Sequence, residues 1–366
     1  MAHLNFTRTV YKSGRAGKAM ARIAYITGHK VTPLDQATRE LRYLTEGRED
    51  LVQEGTRNLP GWAATAHAYF AAAERYEGGG EQRQYNAFEE WKISLPYELS
   101  RTQNAALVED LLDTIAGTAL PYTYAFHEPQ TLNGSRPQPH IHLLLSARRN
   151  DAHIRTAETH FKRYNRAHPE RGGAEKDPAF GVLGAVKASR LMMSDVLNLH
   201  LERHGHVARV HPDSLKSRGI DREPEPKLLP SESNAYRTRK HVSPTMAEVL
   251  AIRELRATQP PREQNNARQY WEQRKATLRI TRDMPHEQKL AQVLLRRHGT
   301  VERVPERYRP LVAQTPTTHQ ASTRTTDLAQ QLRRLTRRLA PTLDDSAGQG
   351  RLAIRLHEER GQGVSW

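Results

Sequence analysis

The fold of this chain is decided by residues 121–147, PYTYAFHEPQTLNGSRPQPHIHLLLSA. Two apolar runs in it, 122–127 and 140–147, are typical of β-strands because each is short and follows a proline. The segment between them contains Asn-Gly and several prolines, which favour a long hairpin loop. We therefore expect the two strands to pair with each other.

The flanking segments alternate between strand and helix patterns. Residues 3–11 alternate like a first strand, and the small and apolar residues of 14–28 predict a helix that ends at Gly28. EWKISLP, 90–96, predicts the next strand, and Ser100 with Gln103 forms a capping box before a helix. A further helix is predicted over about 184–204. This order predicts an α+β fold, an antiparallel sheet with helices on one side.

The organisation of the chain is predicted as one domain followed by an extension. The domain covers 1–230 and includes an insert at about 30–84, whose Gly-rich end, EGGGEQRQ, we interpret as a flexible connection. Residues 231–366 form a basic C-terminal extension of helical segments and linkers, mostly helical or disordered. Its clearest amphipathic piece is DLAQQLRRLTRRLA, 327–340.

Charge indicates the kind of partner. The net charge is +15, and residues 211–366 hold 29 Lys and Arg against 18 Asp and Glu. An arginine-rich surface of this kind favours phosphate polyanions, although a ribosomal or chromatin-like protein without chemistry has the same signature. There is no cysteine, no apolar run long enough for a membrane span and no signal-peptide pattern at the start. We expect a cytoplasmic protein without membrane insertion.

Three histidines are candidate ligands. His140 and His142 leave the same face of a strand, and His127 comes within reach if the two strands of the hairpin pair. Three imidazoles would leave coordination positions open for a substrate oxygen, as in catalytic metal sites. A metal role, a phosphate role and a chance pair among 18 histidines all remain open from spacing alone. His200 and His204 lie one helical turn apart, but the segment between them lacks the glutamate of HExxH, which disfavours a metal there.

A tyrosine on the first predicted helix is the candidate nucleophile. Tyr25 shares that helix with Arg15, Lys18 and Arg22, which recur at helical spacing and are candidates for binding DNA phosphates. A tyrosine hydroxyl that attacks phosphorus would hold a DNA end covalently and reversibly. The alternative is a ring that packs the helix on the sheet.

Several blocks in order resemble the MobA/MobL plasmid mobilisation relaxases, of the HUH endonuclease class. They cover most of residues 1–230 and are together more specific than any one alone. The blocks are the helix ending AYITG, EEWKISLPYELS, PYTYAFH, PHIHLLLS followed by ARRNDAHIR, HFKRYN, and RGIDREPEPKLLP.

The resemblance implies roles for individual residues. Tyr25 matches the transesterifying tyrosine, and His127, His140 and His142 match the histidines that hold a divalent ion, Mg²⁺ or Mn²⁺. Glu90 matches an acidic strand position and is the expected assisting carboxylate, which would orient a histidine or accept the tyrosine proton. The second choice for this carboxylate is Glu98. Lys92 departs from the family, since relatives can carry a second acid at this position.

The resemblance also implies a function. It is strand-specific and site-specific nicking of plasmid DNA, single-stranded at the nick, at an origin of transfer. The product is a 5′-phosphotyrosyl intermediate, and accessory mobilisation proteins and a conjugative coupling protein are the expected partners. The alternatives are a rolling-circle replication initiator of the HUH class, which generally has its tyrosine downstream of the paired histidines, and a non-enzymatic basic nucleic-acid-binding protein.

Overall fold

A computed structural model describes residues 4–14, 17–27, 50–78, 85–130, 136–151, 153–180, 184–220, 225–257 and 262–313. The chain divides into two compact units, Met1–Thr315 and Pro316–Trp366, and the second lies outside the described residues. Arg15, Gly28, the first part of the insert up to residue 49 and the predicted helix at 327–340 also lie outside them.

The strands and helices of the first unit include those that the sequence predicts for its first part, in the predicted order, with further elements between them. The strands are β1 Phe6–Lys12, β2 Leu51–Arg57, β3 Asn86–Ser94, β4 Tyr122–His127 and β5 His140–Leu145. The helices are α1 Lys18–Thr27, α2 Ala66–Tyr76, α3 Arg101–Ala116, α4 Ala157–His160, α5 Ala185–Arg203, α6 Pro230–Arg239, α7 Pro244–Ala257, α8 Arg262–Leu278, α9 His286–His298 and α10 Arg309–Ala313.

The sheet has the strand order β1-β3-β5-β4-β2, and every neighbouring pair is antiparallel. The predicted pairing of the two hairpin strands is confirmed, with His127 opposite His140. The predicted capping box is also present, since the Ser100 Oγ accepts from the Gln103 N–H at 3.2 Å and the Gln103 side chain accepts from the Ser100 N–H at 2.9 Å. The α+β class with an antiparallel sheet is confirmed.

Helices cover both faces of this sheet, whereas the sequence predicts helices on one side. On one face, alternate sheet residues such as Trp91 and Leu143 belong to a core shared with α3, α5 and α9. On the other face, Phe88 and Leu144 belong to a core shared with α1 and α2. Because side chains alternate along a strand, the second face also receives the even-numbered residues of β3 and β5.

The insert and the extension both contribute to the compact unit. The insert supplies the edge strand β2 and the helix α2, whose Tyr69 and Phe70 are fully buried. Beyond residue 230, α8 and α9 place Trp271 and Leu290 in the first core, so the compact unit extends past the predicted boundary. Within the described ranges, no helix combines the length and the hydropathy that crossing a membrane requires.

Candidate active site on the second sheet face

The structure brings the three predicted histidines together on the sheet face that α1 covers. His127 and His140 are direct register partners on β4 and β5, and His142 follows two residues later on the same face. The ring centroids lie 5.6 Å apart for His127 and His140, 5.6 Å for His127 and His142, and 5.3 Å for His140 and His142. The three imidazoles therefore form one cluster, as the hairpin pattern predicts.

Hydrogen bonds orient two of these rings. The Nδ1 of His142 lies 2.7 Å from Oε1 of Glu90, and the Nδ1 of His140 lies 2.9 Å from the Gln138 carbonyl oxygen. Both partners are acceptors, so each Nδ1 carries the proton and donates it. Nε2 is then the ring nitrogen with a lone pair, and a carboxylate or carbonyl on the other nitrogen is the usual support of a metal-binding histidine. The Nδ1 of His127 lies 3.6 Å from Oδ2 of Asp50, a residue just before β2.

Burial keeps the imidazoles of His140 and His142 neutral. It lowers the pKa of His140 to about 3, and the nearby Lys92 charge acts in the same direction. Burial also lowers the pKa of His142, against the opposing effect of the Glu90 carboxylate. A neutral imidazole is the protonation state that binds a metal ion. The tautomers and the charge state of His140 and His142 thus fit a divalent ion held by Nε2 atoms.

Glu90 is surrounded by donors. Besides His142, it accepts a two-pronged ion pair from Arg22 on α1, with Nε to Oε2 at 2.6 Å, and a hydrogen bond from the Tyr11 hydroxyl at 3.0 Å. Burial by itself would raise the pKa of Glu90, but the hydrogen bonds from His142 and Arg22 outweigh it and lower the pKa to about 2. A carboxylate this acidic and this fully bonded orients its neighbours and is a poor proton acceptor.

Tyr25 lies at the open side of this cluster. Its ring is 41% exposed, whereas Ile23, Ala24 and Ile26 around it are buried against the sheet. The ring meets that of His142 edge-on at a centroid distance of 6.4 Å, and the Arg22 guanidinium lies 4.5 Å from the Tyr25 ring centroid. The packing alternative for Tyr25 therefore does not describe its position, because the ring lies on the exposed side of α1.

The helix that carries Tyr25 is held by a residue of α2. The Glu74 carboxylate accepts from the backbone N–H groups of Gly17 at 3.1 Å and Ala19 at 2.9 Å, at the start of α1. A carboxylate at this position satisfies amides that have no partner inside the helix and lies favourably in the helix dipole. Burial raises the pKa of Glu74 to about 7.

The other predicted site residues differ in how directly they contact the histidine cluster. Lys18 lies in the first turn of α1, and its role in binding phosphate stays a prediction. Arg22 forms an ion pair with Glu90, and its role in binding phosphate also stays a prediction. Glu98 lies in the turn after β3 beside Tyr97, whereas Glu90 is bonded directly to His142. Between the two carboxylate choices, the contact to a histidine favours Glu90.

Sequence reasoning missed Tyr11 and Asp50. Tyr11 lies on the same sheet face as Glu90 because β1 pairs with β3, and burial raises the pKa of its hydroxyl to about 12. The alternation along β1 could have identified its face, but only together with the order of the strands. Asp50 has no motif around it, and its approach to His127 depends on the pairing of β2 with β4.

A second histidine cluster lies among the helices. One ligand atom from each of Asp110, His200 and His286 lies within 4.8 Å of the other two, a spacing that no other described group of three such residues meets. The nitrogens of His127, His140 and His142 are thus more widely spaced than the ligand atoms of this second cluster.

Comparisons with known proteins relate the chain to one family. The model of the MobA/MobL family matches residues 18–238. Mobilization protein A of Escherichia coli is 32% identical over 232 residues, which are 61% of this chain and 31% of that protein. The 43 kDa relaxation protein of Salmonella typhimurium is 34% identical over 194 residues, which are 52% of this chain and 51% of that protein. The chain therefore spans about half, or less, of the length of these relatives.

A solved structure is also similar to this chain. It comes from work titled "Molecular Basis of Vancomycin Resistance Transfer in Staphylococcus aureus", with 19% identity and a TM-score of 0.40. The similarity covers 58% of this chain and 100% of that one.

Proposed function

This chain belongs to the MobA/MobL family, and we propose that it is a plasmid mobilisation relaxase that nicks one strand of DNA at an origin of transfer. The observation that carries the proposal is the exposed Tyr25 ring, which lies edge-on to His142 in a cluster of three strand-borne histidines. The names of the relatives, mobilization protein and relaxation protein, agree with it.

The proposed reaction is a transesterification at one phosphodiester. The Tyr25 oxygen attacks phosphorus and forms a phosphotyrosyl bond to the 5′ side, while the bond to the 3′ oxygen breaks and this oxygen takes up a proton from solvent to leave as a free 3′ hydroxyl. The tyrosine proton passes to solvent, since Tyr25 is exposed and the Glu90 carboxylate already accepts hydrogen bonds from Arg22 and His142. Attack by a 3′ hydroxyl on the phosphotyrosine reverses the step and recloses the strand.

The histidine cluster is the proposed electrophilic half of the site. His127, His140 and His142 would hold a divalent ion such as Mg²⁺ or Mn²⁺, which when bound withdraws charge from a phosphate oxygen. Glu90 fixes the Nδ1 proton of His142 and so keeps Nε2 available. Arg22 holds that carboxylate from α1 and also contacts the Tyr25 ring, so one side chain links the nucleophile to the histidines.

The proposed substrate is the single strand at the origin. Lys18, in the first turn of α1, and Arg15, which precedes α1 in the sequence, are proposed to bind its phosphates, and exposed aromatic rings offer stacking surfaces. Accessory mobilisation proteins and a conjugative coupling protein are the proposed partners of the nicked complex.

A covalent-adduct assay tests this function. The full chain is incubated with Mg²⁺ or Mn²⁺ and single-stranded DNA that contains the origin of its plasmid, and the products are separated under denaturing conditions. We expect a protein–DNA adduct, which Tyr25→Phe abolishes while DNA affinity stays within about threefold, because the phosphate contacts remain. Tyr85→Phe is the matched control, since Tyr85 is 39% exposed and has no proposed role.

Two outcomes would contradict the proposal. An adduct formed by Tyr25→Phe would remove Tyr25 as the nucleophile. Salt-sensitive binding without any adduct, on the authentic origin, would identify a nucleic-acid-binding protein instead.

A further inference from the structure

Asp110, His200 and His286 come from three helices, α3, α5 and α9, and meet at one point. Oδ2 of Asp110 lies 2.8 Å from Nε2 of His200 and 3.6 Å from Nε2 of His286. Ligand atoms around a tetrahedral ion at zinc distances are about 3.3 Å apart, a value between these two separations. The Asp110 carboxylate accepts from the Nε2–H of His200, so an ion between the three atoms would replace this hydrogen bond, with the imidazole proton moving to Nδ1.

We propose that Asp110, His200 and His286 form a second metal site, which binds a divalent transition ion of the zinc class. Two imidazoles and a carboxylate are ligands that zinc takes in proteins, and solvent would complete the tetrahedron next to His286, the least buried of the two histidines. This inference is independent of the nicking function.

An unsatisfied polar atom supports the proposal. The buried Nε2 of His286 has no hydrogen-bond partner. Buried polar atoms without partners are rare in folded proteins, and each one calls for an explanation. A metal ion would satisfy the Nε2 of His286 directly.

The surrounding charges leave Asp110 able to bind a cation. Its other oxygen, Oδ1, accepts from the Tyr308 hydroxyl at 2.6 Å and from Arg307 at 3.1 Å. Arg307 also forms a closer ion pair with Asp113, which offsets its positive charge. Oδ2 thus remains the oxygen that faces the two histidines.

The charge states of the ligands agree with this geometry. Burial lowers the pKa of His200, which keeps its imidazole neutral. Burial would raise the pKa of Asp110, but hydrogen bonds from His200 and Tyr308 oppose it, and the pKa is held well below its usual value. An anionic carboxylate and a neutral imidazole are the forms that ligate a metal.

The position of the site suggests a structural role. The family model ends at residue 238, so Asp110 and His200 lie inside the matched region and His286 lies beyond it. A bound ion would fasten α9 to α3 and α5, helices that already share a core with it. Such an ion would stabilise the folded unit, because the three ligands are brought together only by folding.

Cobalt spectroscopy tests the site without reference to nicking. The full chain carrying His140→Ala and His142→Ala is stripped with a chelator and titrated with Co²⁺, whose tetrahedral complexes absorb visible light. We expect one equivalent to bind with visible bands, Zn²⁺ to displace it, and saturating Zn²⁺ to raise Tm by at least about 2 °C. Adding His286→Gln should abolish the bands and the Tm shift.

A histidine of the same helix is the control. The Nε2 of His298 donates to the Asp113 carbonyl oxygen at 3.0 Å, a bond that His298→Gln can replace, so this variant should keep the cobalt bands. Circular dichroism checks that the variants are folded. If the His286→Gln variant is unfolded, Asp110→Asn takes its place. The proposal would be overturned if the protein with only His140→Ala and His142→Ala gave no visible cobalt bands. It would also be overturned if the bands survived both His286→Gln and Asp110→Asn.

Discussion

The two histidine clusters differ in what stands beside them. His127, His140 and His142 project from strands toward an exposed tyrosine, and carboxylate or carbonyl acceptors orient the rings of His140 and His142. Asp110, His200 and His286 come from three helices, and the Tyr308 hydroxyl beside them donates to Asp110. Among the residues that the structure describes, the more compact cluster is thus the one whose neighbouring tyrosine hydroxyl is already engaged.

The difference shows that ligand spacing alone does not identify a catalytic centre. A catalytic centre also needs a group beside the ligands that can react with the substrate. The strand cluster has wider spacing, an open side and a nucleophile, so we assign it the chemistry. The helix cluster is assigned to stability, and the variants below separate the two roles.

The largest effect is expected at the strand cluster. His140→Ala with His142→Ala should reduce metal-dependent nicking on the order of a thousandfold, because the charge withdrawn from the phosphate is lost. The rate of origin nicking with and without chelator measures it. Asp110→Asn is the matched control in the other cluster, and an equal loss in both variants would erase the distinction.

A smaller loss is expected at the residue that orients His142. Glu90→Gln keeps the shape but removes the charge that holds Arg22 and the Nδ1 proton, so nicking should fall about 10- to 100-fold. Titration of the Mn²⁺ dependence of nicking should show that more Mn²⁺ is needed for half the maximal rate. An unchanged Mn²⁺ requirement would show that Glu90 does not act through a metal-binding histidine.

Much of the strand cluster could be predicted from the sequence, because it depends on local pairing. Proline and Asn-Gly define the hairpin, and its antiparallel register places His127 opposite His140. The contacts to Tyr11 and Asp50 required the order of the strands, which no local pattern contains. The same holds for β2, LVQEGTR, whose polar residues and glycine make a weak strand pattern at an edge.

The helix cluster could not be predicted, since its three residues are brought together only by tertiary packing. Asp110 and His286 are separated by nearly half of the chain, and the low hydropathy of the segment after 230 favoured a loose extension. In the structure, a few large residues such as Trp271 and Leu290 are enough to anchor α8 and α9. Burial of single large side chains thus outweighs average composition.

A pH-dependent effect is expected away from both clusters. Because burial raises the pKa of Glu74 from 4.5 to about 7, the folded protein holds a proton between these values that the unfolded chain has released. The contribution of Glu74 to stability therefore falls as pH rises through this window. Glu74→Gln should flatten that part of the Tm-versus-pH curve, and Glu158→Gln, at a side chain that is 61% exposed, should leave it unchanged. Parallel curves for wild type and Glu74→Gln would contradict the assigned pKa.

The smallest effect on nicking is expected at the helix cluster. His286→Gln should leave the nicking rate within about twofold while it removes the Zn²⁺-dependent rise in Tm, because the residue touches none of the proposed catalytic groups. Parallel measurement of both quantities on one preparation separates stability from chemistry. A large loss of nicking in a folded His286→Gln protein would join the two clusters in one function.

The support of α1 by Glu74 limits how modular the nucleophile is. The helix that carries Tyr25 has no acidic residue in its first turn and takes its N-terminal carboxylate from α2. A chimaera that exchanges α1 alone between relatives would separate the tyrosine from its anchor. Engineering a new DNA specificity into this protein therefore requires that α1 and α2 are exchanged together.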